Sequence, residues 1–168
     1  MVSFQYTDQH LNNFNKGHMV YSVNSNFVSR NNTIKIIPYD SNQKGKYILQ
    51  TPDGQQFKVL ATKVDKATGF DGMAVAPMID GKVDTTNVAV IAAATDFGFS
   101  TDGQRKDTLG AVVASFPNSP SPQEPVVSKW IGDLKKQYTI AQLSGYSQSA
   151  YMLYVKSWRT SLDSHHCL

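Results

Sequence analysis

A chain of 168 residues, 40% hydrophobic and 17% charged, is long enough for one domain with a real core and too short for two comfortable ones, which excludes disorder as its default state. The formal charge of +3 comes from Lys and Arg spread along the chain without a block of like charge, which excludes a nucleic-acid-binding arm. The single cysteine, Cys167, excludes an intrachain disulfide, and no apolar run suits a secretory signal or an integral membrane segment, so a cytoplasmic protein, or one secreted by a leaderless route, is expected.

Residues 1–33 are Asn-rich and read as a lead-in or cap, with a short helix permitted from Thr7 to Phe14. His10 and His18 have no partner at a telling spacing and read as ordinary surface or cap residues. From Thr33 to Asp65 the pattern turns to strands: Ile34, Ile36 and Ile37, then Tyr47-Ile48-Leu49, then Phe57-Lys58-Val59-Leu60 after the turn Pro52-Asp53-Gly54. Asp-Gly between two such runs favours a hairpin, because both turn positions tolerate positive φ. The bland reading of this stretch is a purely structural antiparallel edge.

Gly69 to Pro77 reads as a further strand. Asn87-Val88-Ala89-Val90-Ile91-Ala92-Ala93-Ala94-Thr95 is apolar without alternation, as expected of a central strand covered on both faces. After Pro120 the letters spell a helix start: Ser121 as cap, Pro122 in the first helical position and Glu124 three residues beyond Ser121. Val127, Trp130, Ile131, Leu134 and Tyr138 then fall on one helical face. Thr139 to Ser144 reads as a strand, followed by a Gly-containing turn and a second helix from Ala150 to about Arg159.

Gly145-Tyr146-Ser147-Gln148-Ser149 stands at that strand-to-helix junction, where a nucleophile elbow belongs. The elbow strains the backbone of its serine, so the residues two before and two after must be small, and Gly145 and Ser149 are. The backbone N–H of Gln148, at the helix start, suits a developing oxyanion. The plainer alternative is that Ser147 merely shapes a β-to-α turn.

With these residues in hand, the segment from Gly69 to Val155 resembles the α/β-hydrolase fold, and within it lipase class 3 and related lipase-like proteins; Gly-Tyr-Ser-Gln is also similar to the elbow of cutinases. The resemblance implies a mostly parallel sheet with flanking helices, preceded by an N-terminal β-hairpin, over residues 34–156, with 157–168 as a tail. It implies a serine hydrolase of carboxylic (lipid) esters, with Ser147 as nucleophile. The oxyanion hole is then formed by the backbone of Gln148 and of Thr95 or Asp96, with no metal or organic cofactor. Ser149 and Ala94 depart from the family, which has Gly at both positions.

A serine needs a general base oriented by a carboxylate. After Ser147 the chain offers Asp163, His165 and His166 in the right order but without a strand before any of them, so the chain is expected to end before the strand-borne acid and base. The same residues with Cys167 carry metal-ligating atoms, but a chain end holds such geometry poorly and no metal site is expected. The rival expectation is a noncatalytic α/β-hydrolase remnant or interaction module, self-associating through an exposed sheet edge. A phosphate site at the same strand-to-helix turn ranks last, since no Gly-rich loop with Lys accompanies it.

Overall fold

The computed structural model describes residues 4–15, 19–20, 23, 34–38, 47–93 and 122–145. In chain order these form helix α1 (Asp8–Asn15), strands β1 (Lys35–Pro38), β2 (Tyr47–Gln50), β3 (Gln56–Asp65), β4 (Phe70–Ile79), β5 (Lys82–Val83) and β6 (Val88–Ala92), helix α2 (Glu124–Lys135) and strand β7 (Ile140–Gly145). The strands make one sheet in the order β1-β2-β3-β4-β6-β7, with the two-residue β5 paired to β4.

Turn chemistry sets the first half of the sheet. The β2–β3 hairpin closes at the expected Asp53-Gly54, where Gly54 takes φ +88° and donates its N–H to Thr51 O at 2.9 Å. Between β3 and β4, the Asp65 carboxylate accepts from the N–H groups of Ala67 and Thr68, both at 3.0 Å, and Gly69 turns the chain at φ +76°. Asp80 and Gly81 join β4 to β5 with positive φ at both positions, as a two-residue hairpin requires.

Pleating then sorts the side chains into two cores. One face of the sheet carries Leu49, Phe57, Val59, Met73, Val75, Ala89 and Ile91, and the N-terminal segment covers it with Phe14, Met19, Val20 and Val23. The other carries Phe70, Ala74, Ala76, Val88, Val90 and Ala92, against Val127, Ile131 and Leu134 of α2. β6 is buried along its whole length, as its unbroken apolar run predicts. Alanines at 74, 76 and 92 let the helix settle closely, and Trp130 lies over Gly72, where even a Cβ would come within 2.6 Å of the indole ring.

Two expectations are overturned. The sheet is not the mostly parallel one of an α/β-hydrolase, and the resemblance to that fold and to class 3 lipases fails with it: β1 through β6 pair antiparallel throughout, and β6–β7 is the one parallel pair among the described residues. The physical reason is that an apolar strand buried on both faces reads alike whichever way its neighbours run; here hairpins supply β4 on one side of β6, and a connection that includes α2 supplies parallel β7 on the other. The second concerns the helix start. α2 begins at Glu124 with Pro125 in its first turn, and its cap position is Gln123, whose Nε2 donates to Thr68 O at 3.1 Å. The expected cap Ser121 lies outside the described residues.

Candidate functional site

β6 and β7 pair in parallel, with α2 between them in the chain, and the pairing brings their two carboxyl ends level: Ala92 is the register partner of Gly145. Ala93 continues past β6 and donates its N–H to Asp71 O at 2.9 Å, tying this end to β4 as well. From the opposite face α1 reaches the same edge. Asn15 Nδ2 donates to Ser144 Oγ at 2.7 Å and to Leu11 O at 2.9 Å, joining the last turn of α1 to the penultimate residue of β7. Asn15 Oδ1 is buried with no hydrogen-bond partner among the described residues. The alternative amide orientation would set an oxygen against Leu11 O, so the observed one is chemically required.

All the residues singled out for chemistry, namely Ser147, Gln148, Thr95, Asp96, Asp163, His165 and His166, lie outside the described residues. The expected helix from Ala150 to Arg159 and Cys167 do too.

The described residues hold a second polar constellation that the sequence reading passed over. His10 is buried, not a surface residue, and its Nε2 lies 2.7 Å from Asp53 Oδ2. Nδ1 accepts the backbone N–H of Thr7 at 3.2 Å, and the His10 N–H donates back to Thr7 Oγ1 at 3.1 Å. This is a capping box with histidine in the place of the usual glutamate. Accepting at Nδ1 leaves the neutral ring's proton on Nε2, which therefore donates to Asp53. The Thr51 hydroxyl, and then His10, hold the Asp53 carboxyl down at about 2. Phe4 stacks on the imidazole at 5.9 Å and Phe57 meets it edge-on at 5.2 Å.

Though it joins hydroxyl, carboxylate and imidazole, this network is not a catalytic triad. Both ring nitrogens are engaged, one by the backbone and one by the carboxylate, leaving none to take a proton from a nucleophile. Its work is to fasten α1 to the β2–β3 turn. Tyr6 adds a second fastening: its hydroxyl donates to Asn87 O at 2.8 Å and sits 3.2 Å from Val75 O, and burial pushes the phenol well above its ordinary value, so the donor stays protonated.

No cluster of three or more metal-ligating side chains occurs among the described residues, and no helix among them is long and apolar enough to cross a membrane. The chain matches no family model, no curated protein and no solved structure.

Proposed function

We propose that the chain is a hydrolase of carboxylic esters that acts through Ser147. The observation that carries this reading is the level pair of carboxyl ends at Ala92 and Gly145. In sheets built with helical crossovers, ligands bind outside the carboxyl ends of parallel strands, where the connecting loops diverge. Gly145 ends β7 and Ser147 follows two residues later, while Thr95 and Asp96 follow β6 within four residues of Ala92. The described ends of β6 and β7 are thus adjacent, and in the sequence the oxyanion-hole candidates follow the one and the nucleophile candidate the other. The reaction is acyl transfer to Ser147 followed by hydrolysis, with backbone N–H groups stabilising the oxyanion.

One observation favours a second reading, a noncatalytic module that associates through a sheet edge. The one described imidazole, His10, has both nitrogens engaged and so does not serve as a general base. β7 is the last strand of the described sheet, and strands in that position template pairing with another chain.

Reaction of the full chain with a fluorophosphonate probe, beside Ser147→Ala, separates the two. Labelling of the wild type that disappears in Ser147→Ala supports the hydrolase. A folded, unlabelled wild type that sediments as a dimer or larger species sinks the hydrolase and supports the module.

A further inference from the structure

Three aspartate–glycine bonds fall within the described residues, and the fold treats them differently. At such a bond the glycine N attacks the aspartate Cγ, water leaves, and a succinimide forms. Water then opens the ring at either carbonyl, restoring aspartate or leaving isoaspartate, in which the backbone runs through the β-carbon. Glycine favours the closure because it puts no side chain in the path of the attacking nitrogen. The step needs a carboxyl group free to rotate, preferably protonated, and a peptide unit free to turn.

Asp53–Gly54 is denied both. Its carboxylate is held by His10, by the Thr51 hydroxyl and by the Gln55 N–H, while the Gly54 N–H is bound to Thr51 O. The low pKa of Asp53, about 2, also keeps it in the less electrophilic form. Asp71–Gly72 lies within β4, paired on one side to β3 through Val64 and Lys63 and on the other to β6 through Ala92. Trp130 and Phe70 close over Gly72, so the bond cannot turn without opening the sheet.

Asp80–Gly81 forms the tip of the β4–β5 hairpin. Both residues are exposed, and nothing lies within 4 Å of where a Gly81 side chain would begin. The Asp80 carboxylate makes no hydrogen bond or ion pair among the described residues. The strand beyond it, β5, is two residues long and, among the described residues, pairs with β4 alone, so little structure resists rearrangement.

We propose that Asp80–Gly81 is a spontaneous modification site at which the folded chain converts to isoaspartate through a succinimide. The product has one extra backbone atom in the turn, which breaks the register pairs Met78–Val83 and Ile79–Lys82 and releases β5 while leaving β4–β6 intact.

The test is to age the full chain in mildly acidic buffer and digest it with an endoprotease that cuts before aspartate but not before isoaspartate, with mass spectrometry locating each resistant bond. Resistance is expected at residue 80 at a rate at least about tenfold above that at residues 53 and 71, since each ~1.4 kcal/mol of local opening costs a factor of ten. Asp80→Glu, which would need a less favourable six-membered ring, no longer accepts a methyl group from an isoaspartate-specific methyltransferase at residue 80, a readout that does not depend on cleavage before that residue. Equal rates at 53, 71 and 80, or a residue 80 that stays cleavable while either other bond becomes resistant, would overturn the proposal. So would a wild type showing no resistance at residue 80 after ageing under conditions that convert an Asp-Gly peptide of the same sequence.

Discussion

His10 joins Thr7, three residues before it, to Asp53, 43 residues after it, through the two nitrogens of one ring. The pair makes the acid limb of stability depend on Asp53. The folded-state pKa of this carboxyl is about 2, below the ordinary 3.8, so its contribution is fully present above the ordinary value and is lost as pH falls through about 2. Half of the Asp53 side chain is exposed, which screens the interaction and keeps the effect modest. Asp53→Asn should therefore lower stability at neutral pH by about 1 kcal/mol, the scale of one lost charge-assisted hydrogen bond. It should also flatten the decline between pH 4 and 2. Urea unfolding at a series of pH values checks both, and a variant with the wild-type slope would assign the acid limb to other groups. Thr7-x-x-His10 is a capping box spelled with an unusual acceptor, and with histidine in place of glutamate its spacing carried no signal in the sequence. The Asp53 contact was not legible either, because no local pattern tells which turn an imidazole on a distant helix will meet.

Among the elements, α2 lies nearest to what its letters promise, and its packing gives the clearest mutational test. Its apolar positions 127, 131 and 134 are buried as their spacing predicts. Its start differs from expectation because Gln123 takes the cap position and turns its amide to the β3–β4 loop, a contact set by tertiary position. The Trp130 ring occupies the space over Gly72 that a Cβ would need, with Phe70 Cζ also only 2.9 Å away. Gly72→Ala should cost about 1–3 kcal/mol through overpacking. Trp130→Leu, which vacates that space, should recover part of the loss in the double variant, a non-additive result expected only for side chains in contact. Additive costs in thermal or urea unfolding would mean that the indole does not bear on Gly72.

Across the whole molecule, the buried strands were legible in the sequence, but their direction was not. The apolar run of β6 correctly implies cover on both faces, and the strand expected from Thr139 to Ser144 is present as Ile140–Gly145. Antiparallel β4 and parallel β7 flank that run equally well, because burial constrains hydrophobicity and leaves orientation to the connections. What covers one of those faces is the N-terminal segment, whose Phe14 is fully buried, with Phe4, Tyr6 and Leu11 packed beside it against the core that holds Phe57, Val75 and Ile91. Burial of these four side chains contributes on the order of 5–10 kcal/mol, comparable with the entire stability of a domain this size. Deleting residues 1–15 should therefore remove the cooperative unfolding transition and uncover an apolar sheet face that binds 1-anilinonaphthalene-8-sulfonate and aggregates. The β2–β3 turn would lose His10 in the same stroke, and Asn87 and Val75 would lose the Tyr6 hydroxyl. A shortened chain that unfolds cooperatively at the wild-type midpoint, without dye binding, would show that the sheet does not need this cover.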